Sequence, residues 1–448
     1  MKKLICALLA LLVCLSLVTS LAEGVTFETK LQYMPALTAI KGTGYVVSTE
    51  KFDRTRSVYD TDGNLLAAFP YIGIAYLNYG FFTVWNEDDG KSLALANING
   101  QLISEAAYGD FKMLSRHWAL GYRLSPNEAG AYKRGKVGYD IVAYDLFYLD
   151  SEPVPTAPLA SLSGADLVAT GVHGNYIALQ DGDGTIKLYD RQFNAYDFPG
   201  SKVTTTIFKV QDYTVFNYIT NEVVAEGYTS VKEMNIDGET CLLVGQTDFE
   251  GKTVYSILDE NGDVLVPAGY YITAAVGDYA TVTDDEGLMG LFSFSKNELL
   301  VPCAFYNLPA SSVSSDKYVH NGYVLVEDGG LRGYYDVVNQ TVSVEPKLDA
   351  EKVTTIGCVS FVSTEDGVYT LYAADGTETE IYVDSINTTY SRGDGYLLVA
   401  VRNNMYGLID WHGNEVLPFV HAKPIVITDD SRAIIRTSTG SQMDRIVK

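Results

Sequence analysis

The sequence predicts an all-β protein made of tandem three- to four-stranded antiparallel meanders, β-propeller-like, with an open β-repeat array as the alternative. Three observations predict it. Similar strand–turn–strand segments return about every 39 residues. After residue 24, no stretch keeps a helical apolar period for more than about ten residues. Tyr contributes 33 residues and Gly 40 of 448, the composition of pleated strands joined by tight turns. At 47% hydrophobic the chain is too apolar for disorder, and it far exceeds one ordinary domain of about 150 residues unless repeats build it.

The chain begins with Met1-Lys2-Lys3, an apolar run from Leu4 to Val18, and small residues Ser20 and Ala22 ahead of Glu23. This is the layout of a secretory signal peptide over residues 1–22. The run is shorter than the roughly 20 residues a spanning helix needs. Val13 ahead of Cys14 does not suit a lipoprotein cut. No second long apolar stretch follows, so the expectation is a secreted or cell-surface protein with no integral membrane segment after cleavage. Residues 23–40 read as a lead-in, 41–436 as about ten repeat units, and 437–448 as a polar tail. Acidic residues outnumber basic ones 56 to 32, a formal charge of −24. Such a surface repels phosphate backbones, which excludes a nucleic-acid binder.

Within the repeats, the clearest copies are Ser57–Pro70, Thr253–Pro267, Leu288–Pro302, Leu331–Pro346 and Met405–Pro418. Each is an apolar strand, a short polar turn, a second apolar strand and a proline. The residue that closes the first strand is Asp60, Asn97, Asp145, Asp190, Asp259, Asp336 and Asp410 in seven copies, and Ile219, Ser295 and Ala373 in the other three. A short carbonyl-bearing side chain there accepts from the amide two residues on and starts the turn, so these seven are structural turn anchors. A further strand precedes each pair, as in Tyr279–Thr283 and Tyr323–Glu327, and ends in an Asp/Gly turn. Residues 125–138 carry Lys133, Arg134 and Lys136 and read as a loop inserted between two strands of the third unit. A meander this short cannot bury both faces alone, so units must stack on one another.

Gly407–Pro418, followed by Phe419, with Gly290–Tyr306 and Gly333–Pro346, resembles the WG-containing (KWG) repeat of bacterial proteins. Tyr406, Met289 and Arg332 stand where that family carries its Trp, so the resemblance is to a divergent branch. It implies a β-repeat, propeller-like fold and no shared catalytic residues.

Little concentrated chemistry is visible. Three cysteines remain beyond the signal segment, Cys241, Cys303 and Cys358, with no Cys-x-x-Cys, and they read as small buried apolar residues. His117, His173, His320, His412 and His421 have no zinc-ligand spacing. Asp181-Gly-Asp183 and Asp60-Thr-Asp62 suit positive-φ hairpin turns, and at most weak Ca²⁺ binding. No nucleophile elbow, phosphate loop or dinucleotide fingerprint occurs. No cofactor and no catalytic residue is expected. Aromatic side chains are the remaining ligand candidates, Trp118 with its neighbour His117 first and Trp85 next, since aromatic platforms stack on sugars. The expected function is a non-enzymatic recognition scaffold for an extracellular glycan or protein. A polysaccharide hydrolase and a structural or assembly protein are the alternatives.

Overall fold

The computed structural model describes residues 26–40, 43–49, 55–86, 92–124, 141–150, 156–163, 167–309, 318–391, 393–428, 432–438 and 440–447. The signal segment 1–22 and the 125–138 insertion lie outside these residues. All regular structure among them is β, and each strand but Thr26–Met34 pairs antiparallel with a sequence neighbour. The fold class is the one the sequence predicts: all-β, built of tandem antiparallel meanders. Eleven meanders form ten sheets, because strand Val264–Val276 belongs to two meanders at once. No described sheet closes on itself.

The chain divides into two compact units, one formed by Met1–Ser48, Tyr59–Asn64 and Asn307–Lys448, the other by Thr49–Val58 and Leu65–Tyr306. The first holds the meanders 319–349, 354–382 and 385–421, and a sheet ordered Thr26–Met34, Ser441–Val447, Arg432–Arg436, Val426–Ile427. The lead-in and the polar tail therefore carry strands that pair with each other, Phe27 opposite Ile446 and Leu31 opposite Met443. The tail is polar in composition, yet its alternation puts Met443 on the core face, where it packs with Leu31, Leu37, Val46 and Ile434. The second unit holds the meanders 73–97, 108–163, 169–197, 208–226, 230–276 and 264–305.

In both units the core lies between consecutive sheets. Trp118, Leu120, Leu146 and Tyr148 pack against Ile177 and Leu179 of the next meander. Ala119, Phe147 and Leu149 face the other way, onto Leu93, Leu95 and Ile103 of the preceding one. Strands buried on both faces need apolar residues at every position, which explains runs such as Leu397-Leu-Val-Ala400.

Six of the seven expected turn anchors behave as predicted. Asp60 Oδ1 accepts from the amides of Asp62 and Asn64 at 2.8 Å. The same i+2, i+4 pattern recurs at Asn97, Asp190, Asp259 and Asp410. Asp336 accepts from Val338 and Asn339. Asp145 is the exception and corrects the sequence reading. It sits inside strand Ile141–Tyr148, opposite Gly121, fully buried, and anchors no turn. The residues after it, Leu146-Phe147-Tyr148, are core residues that extend the strand. In the 208–226 meander the acceptor is Asn217, two residues before the expected closing position Ile219.

The repeat's Gly and Pro have one joint cause. In three clear copies, two residues of the central strand oppose four of the next: Met289/Leu291 face Phe305/Val301, Arg332/Tyr334 face Leu348/Val344, and Tyr406/Leu408 face His421/Leu417. The bulge holds Pro302, Pro346 or Pro418, a site where a missing N–H costs no ladder bond. Opposite it stand Gly290, Gly333 and Gly407. A Cβ on Gly333 would lie 2.3 Å from the Val344 carbonyl oxygen, a backbone atom that cannot swing aside. Gly333→Ala is expected to destabilise its unit by about 1–3 kcal/mol, the usual cost of forced overpacking. Chemical denaturation measures this, and an unchanged midpoint would remove the close-approach explanation.

Candidate functional site

A polar cavity with a volume of about 770 Å³ lies within the second unit. It forms at the Asx-turn end of three consecutive meanders. The turn after Asp190 supplies Arg191 and Gln192, the turn after Asn217 supplies Thr220 and Glu222, and the turn after Asp259 supplies Glu260 and Asn261. The hairpin His173-Gly174-Asn175-Tyr176 closes a further side, and Ile207, Phe208, Val223 and Val224 are its apolar lining. The middle meander has three strands, Phe208–Gln211, Thr214–Asn217 and Val223–Glu226, where both neighbours have four. The chain ahead of it runs as turns and bends.

A buried hydrogen-bond staple holds that irregular segment. His173 is almost fully buried and directs Nε2 at the Val203 carbonyl oxygen, 2.8 Å away, and Nδ1 at the Glu233 carboxylate. The other oxygen of Glu233 accepts from the Thr206 hydroxyl at 2.9 Å and the Ile207 amide at 2.7 Å. One His–Glu pair thus ties two meanders and the segment between them into a fixed wall.

The charged groups differ in how they are engaged. Asp190 is committed to its turn: it accepts from two amides, from the Asn194 side chain and from the Tyr196 hydroxyl at 2.9 Å. Burial works against its ionisation, but these hydrogen bonds outweigh burial and hold its carboxyl below the ordinary value. Glu260 is the opposite case. Its carboxylate lies over Gly174 and makes no hydrogen bond or ion pair among the described residues. Burial, then repulsion from Glu239, pushes its carboxyl above the ordinary range, against a partial offset from His117. Burial, then the charges of Asp190, Glu222 and Glu260, likewise push the Tyr176 phenol up, opposed by Arg191.

None of the three ligand candidates named from sequence lines this cavity. Trp118 begins strand Trp118–Leu124, rather than lying in an irregular segment, and is fully buried in the core. Trp85 is partly buried and lays its ring on Gly73, where a Cβ would overlap it. His117 pairs with Glu239 at 3.1 Å and stacks on Tyr148, one charge removed from Glu260. The signal that locates the site is the pair of residues following each anchor. These are Arg-Gln after Asp190 and Glu-Asn after Asp259, but Val-Val after Asp336.

The three cysteines carry free thiols, Cys241 and Cys358 buried and Cys303 partly so. Burial pushes the Cys241 thiol up to about 11, which keeps it protonated and unreactive at neutral pH. Among the described residues no group of three or more His, Cys, Asp or Glu is placed to hold a metal ion. No described helix is long and apolar enough to cross a membrane.

No family model matches the chain, and no curated protein matches it. Among solved structures it is similar to a computationally designed protein, Ika8, at 13% identity over 81% of this chain and 98% of that one, with a TM-score of 0.21. It is also similar to BamB from Moraxella catarrhalis, at 12% identity over 87% of this chain and 95% of that one, with a TM-score of 0.22. Likeness at these scores carries no argument, so the fold rests on the strand pairings and the site on its own geometry.

Proposed function

We propose that this protein is a secreted, non-enzymatic recognition scaffold built from WG-like β-repeats, and that the cavity of the second unit binds a glycan. The carrying observation is the cavity's construction. Three successive copies of one turn, held rigid by their own Asx bonds, present different polar side chains to a common space of about 770 Å³. That volume lies in the range of small-ligand sites, about 300–1,000 Å³. Asn175, Gln192, Thr220 and Asn261 offer amide and hydroxyl groups that match the hydroxyls of a sugar, whereas a docked protein would call for a flatter, more apolar patch. Variable side chains on a regular frame suit recognition. The Gly–Pro bulge supports the WG-like reading of the repeat, and the first 22 residues support export.

Screening the chain on a glycan array, followed by calorimetric titration of a hit, is expected to give saturable binding. Gln192→Ala, on an exposed turn, is expected to weaken it about tenfold, or about 1.4 kcal/mol. Silence across a broad array, or binding indifferent to Gln192, would overturn the assignment of the cavity.

One observation favours a hydrolase as the second reading. Glu260 and Asp190 line one cavity with their acidities shifted in opposite directions, the pattern of an acid and its partner. Against it, the Asp190 oxygens are taken by the turn. Release of reducing sugar from a bound oligosaccharide, abolished by Glu260→Gln, would establish the hydrolase.

A further inference from the structure

We propose that this cavity takes an amino sugar in its protonated form, with the Glu260 and Glu222 carboxylates as the counter-ions of its ammonium group. The inference rests on the recognition reading above and narrows it to one chemical class.

The charge balance of the cavity supports it first. Three carboxylates and one guanidinium act on the Tyr176 hydroxyl, those of Asp190, Glu222, Glu260 and Arg191. Asp190 is spent on its turn, and Arg191 is engaged with the Tyr148 hydroxyl. Glu222 and Glu260 are left facing the space. Glu260 has Glu239 and Asp259 as like-charged neighbours, with His117 opposing them. A half-buried carboxylate among like charges is stabilised by an incoming cation, and burial, then the repulsion from Glu239, already hold this carboxyl above its ordinary pKa. The chain's formal charge of −24 draws cations and repels acidic sugars.

The neutral groups choose the rest of the ligand. Asn175, Gln192 and Asn261 line the same cavity and bring amide groups to it, those of Asn175 and Asn261 already holding one bond each, to the Tyr148 hydroxyl and to Asp259. They fit the hydroxyls flanking an amine on a pyranose ring.

The test is calorimetric titration of the full chain at low ionic strength with a glucosamine trimer, its fully N-acetylated counterpart, a glucose trimer and trilysine. The glucosamine trimer is expected to bind about tenfold or more tightly than the acetylated trimer, and that ratio is expected to shrink as salt is added. Glu260→Gln is expected to bring the ratio close to one. Glu222→Gln, on an exposed turn that tolerates the change, supplies a second variant and is expected to reduce the ratio as well. Glu286→Gln, in the 284–287 hairpin turn, is expected to leave it unchanged. Equal affinity for free-amine and acetylated trimers would overturn the amine inference while leaving glycan recognition standing, as would a ratio untouched by both cavity variants. Tighter binding of trilysine with the same Glu260 dependence would assign the amine to a peptide and overturn the proposal. Absence of binding by every sugar would remove the recognition reading along with it.

Discussion

Trp118→Ala is expected to lower the stability of the second unit by about 3–5 kcal/mol, the range for truncating a large buried aromatic side chain. The indole is fully buried and packs with Leu120, Leu146 and Tyr148 against Ile177 and Leu179, so its loss opens a cavity between two sheets rather than at a surface. Tyr148 meets it edge-on at 4.8 Å, and that contact goes too. Trp118→Phe is expected to cost clearly less. It keeps most of the ring volume and removes an indole N–H that has no hydrogen-bond partner among the described residues. Denaturant unfolding followed by circular dichroism gives both numbers. A Trp118→Ala variant of unchanged stability but impaired ligand binding would return Trp118 to the role the sequence suggested and would contradict its burial.

Trp118 also shows what was legible in the sequence and what was not. The all-β class, the repeat and six of seven turn anchors depend on contacts within about five residues, and local chemistry writes them directly. Burial on both faces is a different matter. Trp118 and Ala119 point to different neighbouring sheets, so the strand shows no polar–apolar alternation to mark which residues are core. The strand starts on Trp118 itself, directly after the bend at 115–117. The site was harder still. Arg191, Thr220 and Glu260 lie on different meanders, and only the stacking of those meanders brings them together. Likewise, nothing local links His173 to Glu233, 60 residues on. What the sequence does carry is the anchor of two cavity turns, Asp190 and Asp259, whereas the third turn begins at Asn217, two residues before the expected Ile219.

Asp145→Ala is expected to cost about 3–5 kcal/mol, the range for removing one partner of a buried charge pair. The carboxylate is fully buried and links all four strands of its meander. Tyr108 on the first strand donates its hydroxyl at 2.6 Å, Arg123 on the second donates Nε at 2.7 Å, and Ser161 on the fourth donates its hydroxyl at 2.6 Å. Burial and the bond to Asp145 push the Tyr108 phenol up, so it stays a donor throughout the neutral range. The Arg123 guanidinium also lies over the Tyr108 ring at 5.2 Å. Truncating Asp145 strands these donors together, whereas truncating a partly buried turn anchor such as Asp60 frees turn amides near the surface, at about 1 kcal/mol. Asp145→Asn is expected to fall between, since it keeps an acceptor oxygen but loses the charge facing Arg123. A double-mutant cycle of Asp145→Ala with Arg123→Ala is expected to show coupling of about 1–3 kcal/mol, because either single variant already removes the contact between the two groups and the double loses it only once. If Asp145 served only its own turn, the two substitutions would add without coupling and Asp145→Ala would cost no more than Asp60→Ala. That outcome would restore the sequence reading of Asp145 and break the four-strand link.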